Sequence, residues 1–237
     1  MGLLPIKAII VCLISLVYCL VTSGQTAEVT NRISAQVLFQ DNFQGKLGQG
    51  WYWLREHTNY WRVSPQGLEV WIEPGNMWGP QNDARNVLLR AAPSVAGRQI
   101  EISITVQNTP TNQYEQTDLV WYFDDSNMVK LGQELVDGKL SVVMGREEKD
   151  QTRTISITPL DSTTVTLRLV VAHDRISGAF RTTGSNEWKV VGKCELPRTP
   201  TGEVPPKISL QFYQGSQAFE HWSRVTDFVI KQGAPIR

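Results

Sequence analysis

The segment Arg98–Val106 reads RQIEISITV, so Ile100, Ile102, Ile104 and Val106 alternate with Glu101, Ser103 and Thr105. Successive side chains of an extended strand point to opposite faces, and this alternation therefore makes one apolar and one polar side. The run Thr163–Val171, TTVTLRLVV, repeats the device with Val165, Leu167, Leu169 and Val171. Shorter runs of the same kind, GLEVWI, KLSVVM, RTISIT, KISLQFY and VTDFVI, are separated by turn-rich segments such as DDSN, VDGK and TTGSNE. No long stretch carries a helical apolar period. Many short strands, several with one polar and one apolar parity, predict an all-β chain of two antiparallel sheets packed face to face.

One hairpin is unusually informative. In Tyr114–Leu135, YEQTDLVWYFDDSNMVKLGQEL, the residues Leu119, Trp121, Phe123, Val129, Leu131 and Leu135 fall on one parity, and Gln116, Asp118, Tyr122, Lys130 and Glu134 on the other. Facing residues of an antiparallel pair share a side, so uniting the apolar sets requires pairs such as Tyr122 with Met128 and Gln116 with Glu134. The connecting loop is then expected to hold an odd number of residues, either Asp124–Ser126 or Phe123–Asn127. A two-residue turn at Asp125 and Ser126 would set Lys130 beside Trp121 and mix the faces.

Lys7 precedes the apolar run AIIVCLISLVYCLV and the small-residue stretch TSGQTA, which is the pattern of a signal peptide. The run is short for a membrane span, so no stable span is expected after its removal. The expected organisation is a signal peptide over 1–24, a polar lead-in over 25–36, one domain over 37–231 and a tail over 232–237, with the protein secreted or periplasmic. Cys12 and Cys19 lie in the signal, leaving Cys194 without an intrachain disulfide partner. The full chain carries 23 basic and 23 acidic residues, and loss of Lys7 leaves a near-neutral domain that does not suggest a nucleic-acid partner.

The runs LFQDNFQGKLGQGWYWLRE, YWRVSPQGLEVWI, DARNVLLR, YEQTDLVWYFDDSNMVKLGQEL, GKLSVVMGRE, VTLRLVV, SNEWKVVG and HWSRVTDFVI occur in the order found in the concanavalin A-like domain at the C-terminus of β-xylosidases, and in related stand-alone proteins. The resemblance covers about Val37 to Lys231. It implies a jelly-roll sandwich with a curved sheet whose concave face is polar and aromatic. In β-xylosidases the domain accompanies a separate catalytic propeller, absent from this sequence, so the resemblance carries the fold and not the xylosidase activity. The family's acid or amide pair followed by K-x-G-x-E corresponds to Glu115 and Gln116, then Lys130, Gly132 and Glu134. The family's "GL" stands here as Asp118 and Leu119, a departure that adds a carboxylate to the polar face.

Amides and carboxylates hydrogen-bond sugar hydroxyls, and aromatic rings cover pyranose faces. On that chemistry the expected ligand-binding residues are Trp78, Asp83, Gln116, Asp118, Tyr122, Lys130 and Glu134. Trp78 and Asp83 come from Glu73–Asn86, EPGNMWGPQNDARN, a polar loop that breaks the strand rhythm. The bland readings are a solvated sheet face with a surface ion pair and a tryptophan plugging the sandwich end. Trp51 and Trp53 share a parity and are expected in the core.

Glycoside hydrolysis would need two carboxyl groups flanking the scissile bond. Glu134, Asp83 and Glu115 are the candidates, but the E-x-D-x-E strand of laminarinase-like jelly rolls is missing. His57, His173 and His221 lack metal-ligand spacing, and Asp124, Asp125 and Asn127, which offer oxygens to calcium, are expected to form a plain turn. The expected function is thus an exported carbohydrate-binding domain without cofactor. The alternatives are a glycan-active hydrolase or lyase using Glu134 and a second carboxylate, and an accessory module that docks on an exported partner protein.

Overall fold

The alternating runs become strands in the computed structural model, which describes residues 35–198 and 204–235. The expected signal peptide and nearly all of the lead-in lie outside the described residues. Fifteen strands follow in order: β1 (Gln36–Asp41), β2 (Tyr52–Leu54), β3 (Trp61–Ser64), β4 (Gly67–Trp71), β5 (Val87–Ala91), β6 (Arg98–Gln107), β7 (Gln116–Asp124), β8 (Asn127–Val136), β9 (Lys139–Glu148), β10 (Gln151–Pro159), β11 (Thr164–Ala172), β12 (Arg175–Thr182), β13 (Lys189–Glu195), β14 (Lys207–Tyr213) and β15 (Trp222–Pro235). Among the described residues a 3₁₀ turn at Thr58–Tyr60 is the sole helical element, and no helix is long and apolar enough to cross a membrane.

The strands form two antiparallel sheets. One runs β10-β9-β8-β7-β14-β5-β2 and the other β13-β12-β11-β6-β15-β4-β3, with β1 also paired to β15. Strand β15 meets β6 along one edge; its other edge is divided between β4, at Trp222–Val225, and β1, at Phe228–Gln232. The faces turned toward each other hold the apolar parities: Ile100, Ile102, Ile104, Val106, Val165, Leu167, Leu169 and Val171 are fully buried against Leu119, Trp121, Val129, Leu131, Val142 and Met144. Burying one such side chain is worth about 1.5–3 kcal/mol, so the alternation supplies the main driving force for this arrangement. Trp51 and Trp53 pack at the margin of this core.

The β7–β8 hairpin keeps the expected faces by a route different from the expected loop. Gln116 faces Glu134 and Tyr122 faces Met128, as the parity requires, yet Asp124 faces Asn127 across a two-residue turn at Asp125 and Ser126. The register shift between Tyr122 and Asp124 makes Phe123 a β-bulge, and that extra residue restores the even pairing that a two-residue turn alone would break. Asp124 stabilises the turn by accepting from the Ser126 backbone N–H at 2.9 Å and from the Asn127 amide at 2.7 Å.

Candidate functional site

The outward side of β7 and β8 is where the polar parity emerges. Register places Asp118 opposite Gly132 and Val120 opposite Lys130; β9 contributes Val143, Gly145 and Glu147 opposite Gly132, Lys130 and Met128. From the other flank β14 contributes Tyr213 opposite Gln116. The ladders joining β14, β7, β8 and β9 thus fix one patch of side chains.

Lys130 is the centre of that patch. Its ammonium is buried, donates to Gln116 Oε1 and to Glu134 Oε2 (3.1 Å), and lies 3.9 Å from Asp118 Oδ2 and 3.5 Å from the Tyr213 hydroxyl. A cation in such a place is tolerable only when paired and hydrogen-bonded, and Glu134 and Gln116 meet that need. Its charge also lies 4.8 Å from the centre of the Trp78 ring, a cation–π contact. Asp118 sits deepest. Burial pushes its carboxyl up to about 6, against the pull of Lys130 and with a push from Glu134. It fits because residue 132 is glycine: a Cβ there would stand 1.5 Å from Asp118 Oδ1.

The loop Glu73–Asn86 covers one end of this face. Asn76 organises it, its side-chain oxygen accepting from the N–H groups of Met77 and Trp78 and its amide donating to Trp78 O. Asp83 closes the loop base by accepting from Asn76 N at 2.8 Å, and hydrogen bonds from Gln81 and Asn76 hold its carboxyl low. Met77 and Ala84 pack with Val87, Leu89, Val120, Tyr122, Met128 and Tyr213 in a small second core beneath the loop. The Trp78 ring lies on Gly145, where a Cβ would approach it to 2.5 Å. Next to it, fully buried Glu147 accepts from Gly79 N at 3.2 Å while its other oxygen has no partner, and burial pushes this carboxyl up to about 7.

What the loop leaves open is a cleft of about 510 Å³. Gln116, Lys130 and Glu134 form its floor, Trp78 and Asn76 one wall, and Tyr114, Val136, Asp137, Val143, Thr154, Ile157 and Gln214 the remainder. The volume lies in the range of small-molecule sites, and the lining joins aromatic surface to an amide, a carboxylate and an ammonium. Tyr114 is about half exposed and has φ 67°, a left-handed conformation rare for a bulky residue; its N–H donates to Leu135 O at 2.8 Å and its carbonyl accepts from Gln116.

Four of the expected ligand residues, Trp78, Gln116, Lys130 and Glu134, therefore share the cleft. Asp118 lies under its floor, with 1% of its surface exposed. Tyr122 is on the right face but lies under the loop, its hydroxyl donating to Asp125 at 2.7 Å. Asp83 faces solvent near Arg55 and Arg85, outside this cleft, because the loop turns it toward Asn76. Glu115, though adjacent to Gln116, has the opposite parity; it is fully buried, accepts from Thr111 N and Asn112 N, and pairs with His221. Tyr114, Ile157 and Glu147 were missed by the parity argument, since they come from a strand end, an edge strand and the neighbour beyond the hairpin.

The turn carboxylates are occupied by protein donors. Asp125 receives Arg55 at 2.8 Å in addition to Tyr122, and Asp124 holds its own turn. Among the described residues no group of three or more His, Cys, Asp or Glu side chains is placed to hold a metal ion.

Several solved structures share the fold. The GH43 BlXynB protein from Bacillus licheniformis superposes with a TM-score of 0.71 at 16% identity, covering 81% of this chain and 39% of that one. The xylan beta-1,4-xylosidase from Bacillus halodurans C-125 gives 0.70 at 16% identity, with 81% and 38% covered. A functionally unknown protein from Saccharomyces cerevisiae gives 0.60 at 13% identity, with 79% of this chain and 98% of that one covered. The chain thus spans about two fifths of the two bacterial proteins and nearly all of the yeast protein. No curated protein matches the chain. Residues 40–201, which hold the β7–β8 hairpin and the loop over it, match the family of beta xylosidase C-terminal concanavalin A-like domains, and the chain belongs to that family.

Proposed function

We propose that this chain is an exported carbohydrate-binding domain that engages a glycan in the cleft over β7–β9 without cleaving it. The observation that carries the reading is the cleft floor: Gln116, Lys130 and Glu134, pre-organised by one another, beside the Trp78 ring. Fixed amide and carboxylate oxygens accept from sugar hydroxyls, the buried ammonium holds those oxygens in place, and the indole covers the apolar face of a ring. Pre-organisation lowers the ordering cost of binding. Membership of a domain family named for β-xylosidases supports a glycan as the ligand class.

Binding without cleavage is favoured over the hydrolase or lyase reading by the placement of the second carboxylates. Asp83 and Glu115 lie outside the cleft and Asp118 does not line it; the one carboxylate that joins Glu134 in the lining, Asp137, is exposed in the β8–β9 turn and accepts from the Gln113 amide at 3.1 Å. Isothermal titration with xylo-oligosaccharides and other short neutral glycans tests the reading. Saturable binding that weakens at least about tenfold in Trp78→Ala and in Glu134→Ala is the expected result, a loss of roughly 1.4 kcal/mol each. No heat with any glycan at millimolar concentration, or sugar release from polysaccharide that Glu134→Gln abolishes, would replace it with one of the alternatives.

A further inference from the structure

At one corner of the sandwich the two sheets stop meeting through apolar side chains. Along β9 the inward residue after Met144 is Arg146, and along β13 the inward residue after Gly192, whose missing Cβ admits Ile155 and Met144, is Cys194. Strand β10 sets Arg153 directly opposite Arg146, two like charges on neighbouring strands and on the same side. Such a pair is unfavourable by itself. Around it opens a groove of about 1130 Å³ at the ends of β9 to β13, lined by six cationic residues, Arg146, Lys149, Arg153, Arg175, Lys193 and Arg198, and by two carboxylates, Glu148 and Glu195.

Both carboxylates are engaged. Glu148 accepts from Arg146 at 3.1 Å and from the Arg198 backbone N–H at 2.6 Å, and Glu195 lies 3.8 Å from Arg175. Among the described residues no carboxylate lies within ion-pairing distance of the side chains of Lys149, Arg153, Lys193 or Arg198, all of which are exposed. In a chain with equal numbers of acidic and basic residues, this local surplus of four is a concentration and not a background.

We infer that this groove is a second binding site, for an acidic polysaccharide whose uronate carboxylates sit between the opposed arginines and the flanking lysines. Guanidinium groups present a planar fork that matches a carboxylate, and a repeating uronate supplies one such group per sugar to a row of cations. A neutral chain lacks the long-range positive field that favours nucleic acid, so spaced carboxylates suit the groove better than a phosphate backbone. The site is separate from the cleft over β7–β9 and does not depend on the glycan reading given for it.

Affinity electrophoresis of the full chain through gels containing polygalacturonate, and through gels containing its fully methyl-esterified form, isolates the role of charge on one backbone. Retardation by the acid form alone is expected, decreasing as salt is added. The double variant Arg153→Glu/Lys193→Glu is expected to lose this retardation by about tenfold or more, while Arg153→Glu alone melts no lower than the parent because the introduced carboxylate would face Arg146 as an opposite charge. Lys149→Glu, in an exposed turn, gives an independent reading, and Glu134→Ala in the other cleft is expected to leave the retardation unchanged. Equal retardation by the methyl ester, no retardation by the acid form, unaltered retardation of the charge-reversed variants, or tighter capture by duplex DNA than by polygalacturonate each overturns the inference.

Discussion

Two residues without side chains decide whether the cleft exists. At Gly132 any Cβ would occupy the place of Asp118 Oδ1, so Gly132→Ala is expected to cost about 1–3 kcal/mol by overpacking, seen as a lower urea midpoint. At Gly145 the obstacle is the Trp78 ring, which a loop can yield more readily than a strand can. Gly145→Ala is therefore expected to leave stability nearly unchanged while weakening glycan binding roughly fivefold, the value of about 1 kcal/mol of aromatic contact. Buried carboxyls set the pH dependence. Folding raises Glu147 from its ordinary 4.5 to about 7 and Asp118 from 3.8 to about 6. The folded chain therefore keeps protons that the unfolded chain has already released, and stability falls as pH rises from about 4 to 7 and then levels. Glu147→Gln should remove much of that slope, on the order of 1–3 kcal/mol between pH 5 and pH 8, measured by urea unfolding at both.

Among the elements, the β7–β8 hairpin shows how much pattern can determine. The alternation of Leu119 and Trp121 against Gln116 and Asp118 revealed both faces and the pairing of Gln116 with Glu134, because a half-buried strand enforces period two. It did not reveal the bulge at Phe123, since bulge and longer loop satisfy the same parity. Deleting Phe123 joins Tyr122 directly to Asp124 and is expected to leave Tyr122 opposite Met128 and Lys130 opposite Val120 in a regular hairpin, so the variant should still unfold cooperatively in urea and lose only the packing of the Phe123 ring. Glu115, a catalytic candidate from the sequence, falls on the other parity, and its actual role depends on the distant His221 and a loop, contacts that no local pattern encodes. Glu115→Gln is expected to lower stability by about 1–3 kcal/mol and to leave glycan affinity unchanged, a contrast that separates a structural carboxylate from a catalytic one. The loop from Glu73 to Asn86 was legible as an interruption carrying Trp78. Its internal bonds, which turn Asp83 away and Trp78 inward, were not.

For the molecule as a whole, the two sheets hold a single buried core, and the described residues contain one cysteine, Cys194, unpaired and partly buried. A chain starting at Gln25 is expected to melt at the same temperature with and without dithiothreitol, since packing alone must supply its stability. The larger sheet is also assembled in an order unlike that of the chain. Strand β15, the last, is flanked by β6 on one edge and by β4 and β1 on the other. A ribosome that has not yet released β15 has therefore produced three strands, β1, β4 and β6, without their shared partner. Until β15 emerges those edges stay open to wrong partners, so closing of this sheet waits on one strand, and a product cut short of it would be left for proteolysis.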